Sequence, residues 1–141
     1  MISVIDSSVA VKWYAVEPDS FIARRLLARS IVAPDLIRTE VANSLRKKIR
    51  AGEMRVEQAL QALPHLARSV RLLPTEPFAE MALELALELG HPVYDCVFLE
   101  IARTLDFPFV TADMKLWKRT RNTSFGDRVI LLRDWEPDDE R

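Results

Sequence analysis

Residues 1–13 read MISVIDSSVAVKW. Ile2–Ile5 is a short run dominated by β-branched side chains, the composition of a buried strand. It stops at a carboxylate, Asp6, followed by Ser7 and Ser8. Apolar residues then resume over AVKWYAV, which reads as a helix. A strand feeding through a brief polar turn into a helix is the first half of an α/β unit, and the rest of the chain repeats the alternation.

A second helix is capped by Asp19 or Ser20, with Phe21, Ile22, Leu26 and Leu27 directed inward. Residues 31–33 form another brief strand, and Pro34 and Asp35 turn the chain into a helix over Leu36–Arg50. On it Ile37, Val41, Leu45 and Ile49 recur every four residues as one buried stripe, and Gly52 is its stop. Val56–Ser69 reads as a helix that Pro64 kinks or splits. Residues 70–73 are a strand, and 77–89 a helix closed by Gly90. Pro92 opens a helix over Val93–Leu105 that is apolar round most of its circumference and therefore buried. Residues 107–111, FPFVT, form a strand, 115–121 a short basic helix, and 129–132 a last strand. This order predicts an α/β fold with a mainly parallel central sheet and no second domain. Residues 1–134 make up the domain, and 135–141 an acidic tail.

With 141 residues, 49% hydrophobic and 29% charged, the chain has the composition of a soluble globular domain. A net charge of −1 gives no global attraction to nucleic acid or membranes, so any polyanion site must come from local clustering of Lys and Arg. Cys96 is the only cysteine, which excludes an internal disulfide and a Cys-based zinc cluster and suits a reducing cytoplasm. The N-terminal apolar run is too brief for a signal-peptide core, and no stretch approaches the roughly 20 residues of a membrane span. The expected location is cytoplasmic.

Ligands of parallel α/β sheets bind beyond the carboxyl ends of the strands. Asp6 closes the first strand and Asp113 follows FPFVT. Each, taken singly, has an ordinary use as a helix cap, as do the small hydroxyl residues Ser7, Ser8 and Thr111. Asp95 lies in the first turn of its helix, where the macrodipole favours a negative charge, but the apolar surroundings demand a proton or a cation beside it. Glu40 sits at the edge of the stripe on Leu36–Arg50, one turn from Ile37 and Ser44, with Asn43 and Lys47 on the same flank. Alone it is an ordinary solvated Glu. If Asp6, Glu40, Asp95 and Asp113 meet at one edge of the sheet they repel, on the order of 4 kcal/mol for a pair about 4 Å apart at an effective dielectric near 20. A hard dication with oxygen ligands, Mg²⁺ or Mn²⁺, is the natural compensation.

Four motifs carry a resemblance: IDSSV at residues 5–9, TEVANSL at 39–45, YDCVFLEIA at 94–102 and FVTAD at 109–113. In this order and spacing they resemble the PIN-domain ribonucleases, most nearly the VapC toxins of toxin–antitoxin pairs, over almost the whole chain. The resemblance implies a parallel α/β/α sandwich that cuts RNA with Mg²⁺ or Mn²⁺ held by four acids, here Asp6, Glu40, Asp95 and Asp113. Asp6 and Asp95 are the first choices for direct metal ligands, with Glu40 and Asp113 holding further waters, binding a second ion or accepting a proton from the nucleophile. It implies supporting roles for Ser7, Ser8, Asn43 and Thr111 in orienting the carboxylates or a water. An antitoxin that occupies the acidic groove and a homodimer are implied as well. Cys96 stands where Ala is more usual, and Met114, Lys115 and Leu116 stand where some relatives carry a further acid, which weakens the case for a second ion. The alternatives are a PIN nuclease acting in RNA processing or on DNA, and a binding module without catalysis.

Positive charge for an RNA strand is available in Arg46, Lys47, Lys48 and Arg50 on one helix and in Lys115, Lys118, Arg119 and Arg121 on another, unless both are merely solvated faces. Trp13 and Tyr14 serve base stacking or the core. Only three glycines exist, far apart, so no phosphate-binding Gly-rich loop is present; His65 and His91 lack zinc-hydrolase spacing, and no GxSxG elbow occurs.

Overall fold

A computed structural model describes residues 1–138 of the chain. Five strands, β1 (Ile2–Ile5), β2 (Ser30–Pro34), β3 (Arg71–Leu73), β4 (Phe109–Thr111) and β5 (Val129–Leu131), form one sheet in the order β3-β2-β1-β4-β5. All four pairings are parallel, with Val4 opposite both Val32 of β2 and Phe109 of β4. The chain lays down β1, β2 and β3 in one direction and then crosses to the other side of β1 for β4 and β5. The order therefore reverses between β1 and β4, the place where parallel sheets open a crevice at their carboxyl ends.

Among the described residues seven α-helices cover the sheet: α1 (Ser7–Ala10), α2 (Ser20–Leu26), α3 (Leu36–Arg50), α4 (Val56–Ser69), α5 (Ala79–Leu89), α6 (Val93–Leu105) and α7 (Met114–Thr120). α3 and α4 pack together against β2 and β3, α5 and α6 pack together with α6 across β1, β2 and β4, and α7 lies on β4 and β5. The result is the expected three-layer α/β/α sandwich. The stripe on α3 is buried at Ile37, Val41 and Leu45, and on α6 the run from Cys96 to Ala102 is buried without a break. Phe98 of α6 stacks on Phe109 of β4 at a ring separation of 6.2 Å, which fixes the helix to the strand below it. Gly90 ends α5 with φ 62°, a left-handed turn that swings the chain through His91 and Pro92 into α6.

Some local expectations differ from the structure. Pro64 does not split α4, which runs unbroken from Val56 to Ser69. Pro64 and Leu60, whose carbonyl would have received the missing N–H, both lie on the exposed face, where water can take the unpaired oxygen. Phe21 is 67% exposed, while Ala23 and Leu26 are buried. Residues 21 and 26 are roughly 140° apart around a helix of 3.6 residues per turn and cannot share an inward face. The fourth strand begins at Phe109; Pro108 before it uses its carbonyl to accept from Val4 N at 2.9 Å. Trp135 at the start of the acidic segment is buried in the core, and residues 139–141 of that segment lie outside the described residues. Among the described residues no helix is long and apolar enough to cross a membrane.

Candidate active site

Asp6 ends β1, and its side chain does not cap α1: only its backbone oxygen does so, accepting from Val9 N and Ala10 N. The carboxylate instead bonds to side chains beyond the carboxyl ends of β1 and β4, and Asp6 is 5% exposed. Ser8 Oγ donates to its Oδ1 at 2.5 Å and Thr111 Oγ1 donates to its Oδ2 at 2.6 Å. Each hydroxyl is itself oriented from behind, Ser8 by the N–H of Ala112 at 2.9 Å and Thr111 by the N–H of Asp113 at 3.1 Å. Both hydroxyl protons are thereby committed to Asp6, and the turn after β1 is tied to the turn after β4. Ser7 and Asn43 make no bond to any of the four acids among the described residues; Asn43 is exposed and accepts from Arg46 Nε at 3.2 Å.

Glu40 lies half-buried on the inner flank of α3, and its Oε1 is buried with no hydrogen-bond partner. Burial alone disfavours a charge there, and the neighbouring Asp6 and Asp95 charges add to it; together they push Glu40 up to about 7. Burial likewise pushes Asp6 up to about 6, against its two hydroxyl donors, with Asp95 and Asp113 pushing the same way. These mutual effects show that the crevice brings together acids 107 positions apart in the chain at their extremes, Asp6 and Asp113.

Asp113 does act as a helix cap, with Oδ1 accepting from Lys115 N at 3.0 Å and Leu116 N at 3.2 Å. Asp95 is held by His91, whose Nε2 lies 2.5 Å from Asp95 Oδ2 and which is 8% exposed. The signal was present in the i, i+4 spacing of His91 and Asp95 across the start of α6, though the left-handed turn at Gly90 had to be known to use it. Among the described residues none of the four acids is paired with a Lys or Arg; the ion pairs found involve other carboxylates, apart from His91 with Asp95. Among the described residues no group of three or more His, Cys, Asp or Glu side chains is arranged to hold a metal ion as it stands. Both oxygens of Asp6, one of Asp95 and one of Asp113 are turned toward protein donors.

The remaining candidates resolve simply. Trp13 belongs to the core, its Nε1 donating to Ala23 O at 2.7 Å. Tyr14 packs edge-on against His65, with its hydroxyl 2.7 Å from His65 Nδ1. Cys96 is buried, and burial pushes its thiol up to about 12, so it behaves as a small apolar side chain. A depression of about 410 Å³ between α5, α6 and the segment after α7 contains Glu100, but that carboxylate is paired with Arg103.

One substitution measures how firmly the crevice holds its charge. Thr111→Val removes the Oδ2 donor in a fully buried setting and is expected to cost about 1–3 kcal/mol at pH 7.5, where Asp6 is ionised, and less at pH 4.5. Urea unfolding at the two pH values reads the difference; an equal loss at both would mean that the hydroxyl does not serve the carboxylate.

The PIN domain family matches the chain over residues 3–122. Ribonuclease VapC3 of Pyrobaculum aerophilum is 32% identical over 118 residues, covering 80% of this chain and 90% of its own length. Ribonuclease VapC1 of Mycobacterium tuberculosis is 34% identical over 120 residues, covering 80% and 86%. Among solved structures, PAE2754 of Pyrobaculum aerophilum superposes with a TM-score of 0.69 at 19% identity over 94% of this chain and 90% of that one. Mycobacterium tuberculosis VapC20, described as a toxin that cleaves the sarcin–ricin loop, gives 0.62 at 17% identity over 79% and 88%. The structural likenesses speak for the fold, and the sequence matches for descent: the chain belongs to the PIN domain family and is related to its VapC-type toxins.

Proposed function

We propose that this protein is an endoribonuclease dependent on Mg²⁺ or Mn²⁺, the toxin of a toxin–antitoxin pair, with Asp6, Glu40, Asp95 and Asp113 as its catalytic acids. Membership of a nuclease family and relatives named as ribonucleases support the reaction class. The observation that carries the assignment to this crevice is Glu40 Oε1, a carboxylate oxygen buried without a partner beside two other acids. A buried polar atom left unsatisfied is costly, and here the charges acting on Glu40 are those of Asp6 and Asp95, neither of which is ion-paired with a lysine or arginine among the described residues. That donor set fits a hard dication. A bound Mg²⁺ or Mn²⁺ supplies neutralisation of charge at the phosphodiester and acidifies water.

The protein's own side chains do the rest. Asp6 and Asp95 would hold the ion, the first fixed by Ser8 and Thr111, the second by His91. Glu40, with Oε1 unpartnered and burial holding its carboxyl above the ordinary value, would take a proton from the attacking water. Asp113 has one oxygen anchored to its helix and presents the carboxylate from the β4 side. In this reading the substrate is RNA, the inhibitor is an antitoxin that places a basic side chain among the acids, and the basic unit is a homodimer.

Purified protein incubated with an RNA pool is expected to cut it with Mg²⁺ or Mn²⁺ and to stop on addition of EDTA. Cleavage of DNA alone would move the protein to another branch of the family, and inertness toward all nucleic acid with metal present would reject the nuclease reading. His91→Ala is expected to weaken Mn²⁺ binding on the order of 10–100-fold, because a partner that orients a metal-holding side chain has effects of that size. Calorimetric titration checks it, and unchanged affinity would make His91 a packing residue only.

A further inference from the structure

The sequence offered two basic clusters, and the structure treats them differently. On α3, Lys48 is neutralised by Glu17 at 2.8 Å and Glu53 at 3.2 Å, and Lys47 shares a depression with the same two glutamates. Arg46 is bonded to Asn43 and, with Arg50, borders an apolar furrow between α3 and α4. On α7, Arg121 is structural: its guanidinium donates to Trp117 O and Val129 O and lies 4.3 Å from the centre of the Trp117 ring. Lys115, Lys118 and Arg119 remain. They are exposed, form no ion pair among the described residues, and alone line a depression of about 340 Å³.

Helix stability does not account for that arrangement. The three residues are spaced i, i+3, i+4, so like charges share one face. Lys118 and Arg119 lie in the last turn, where the dipole favours cations, but Lys115 is the second residue of the helix, where it favours an acid. Position relative to the crevice does account for it. Asp113 is the N-cap of α7, and a rise of 1.5 Å per residue puts the α-carbons of the three cations within about 9 Å of that residue's along the axis. Arg119 Nη1 also comes within 3.9 Å of where a β-carbon on Gly90 would sit, at the turn that leads to His91 and Asp95. The patch therefore spans from the helix of one catalytic acid to the approach of another.

An acidic centre repels the polyanion it must cut, so substrate must be held by cations beside the acids rather than among them. We infer that Lys115, Lys118 and Arg119 form the track for the phosphates that flank the scissile bond of a single-stranded RNA, and that the basic stretch of α3 does not. This rests on the nuclease reading above. The track recognises backbone and not bases, so it sets affinity and register but no sequence preference.

The test uses the full chain carrying Asp6→Asn, so that RNA is bound but not cut, and a fluorescent single-stranded oligonucleotide titrated at several salt concentrations with Mg²⁺ present. Adding Lys115→Gln, Lys118→Gln and Arg119→Gln together is expected to lower affinity at least roughly tenfold and to reduce the slope of log affinity against log salt by about 2, three contacts at about 0.7 each. The matching variant Arg46→Gln, Lys47→Gln, Arg50→Gln is expected to leave the slope within about 0.7 of its starting value. Equal affinity and slope in the α7 variant, or a larger loss in the α3 variant, overturns the inference while leaving the nuclease reading intact if the native chain still cuts RNA. Unchanged RNA binding together with lost binding of a poly-glutamate peptide also overturns it, and gives the patch to an acidic protein segment. Failure of the native chain to bind or cut any RNA overturns both readings.

Discussion

Asp6→Asn is expected to reduce metal-dependent RNA cleavage by roughly 10³-fold or more while the protein still folds. Several kcal/mol of transition-state stabilisation depend on a correctly held ion, and each 1.36 kcal/mol is a factor of ten. Of the four acids, Asp6 is the most deeply placed, and it is the only one gripped by two hydroxyls on opposite oxygens. Its replacement keeps the size of the side chain and retains one acceptor oxygen for Thr111 or Ser8, but removes the charge. Removing a charge that burial already disfavours offsets the loss of one hydrogen bond, so the metal-free variant should melt within a few degrees of the native chain or above it. Circular dichroism melting and the RNA assay, done on the same preparation, separate the two effects. A variant that folds and cuts at the native rate would remove Asp6 from the mechanism.

Much of this site was legible because each acid follows a pattern that local physics enforces. Asp6 and Asp113 close short β-rich runs, so a parallel sheet sends both to its carboxyl edge, and the structure adds that β1 and β4 are the neighbours between which the strand order reverses. Glu40 was legible as the flank of a four-residue repeat. What sequence did not reveal depends on contacts between elements. Lys48 and Arg121 looked like members of basic surface clusters, yet one is held by glutamates from outside α3 and the other lies against Trp117 and the edge of β5. Glu100 lies on the buried run of α6 and survives there at 2% exposure because Arg103, one turn on, reaches back to it. His91 became part of the site through a backbone turn at Gly90 that no periodicity describes.

The same burial that marks the site predicts how protons and metal compete for it. Asp6 has an ordinary value of 3.8 and is raised to about 6 in the native state, and Glu40 is raised from 4.5 to about 7. Between those limits the native protein binds more protons than the unfolded chain, so in the absence of metal its stability must fall as pH rises. For Asp6 the fall begins near pH 3.8 and is complete above about 6; a shift of about two units corresponds to ~3 kcal/mol. Other groups titrate over this range, so the clean measure is the difference in unfolding free energy between the native chain and Asp6→Asn, followed by urea denaturation in EDTA from pH 4 to pH 8. The native chain should lose ground to the variant from pH 4 to about 6 and then level off. Metal reverses the trend, because an ion binds the ionised carboxylates and must displace the protons. Mn²⁺ at a hundred times its dissociation constant should add about 2.7 kcal/mol at pH 8 and almost nothing at pH 4.5, where Asp6 and Glu40 hold their protons. A metal-induced shift of equal size at both pH values would mean that the ion binds elsewhere on the protein. A flat difference between the native chain and Asp6→Asn would mean that the crevice is wetter than its geometry indicates, and that Asp6 has no unpaid electrostatic cost for a cation to relieve.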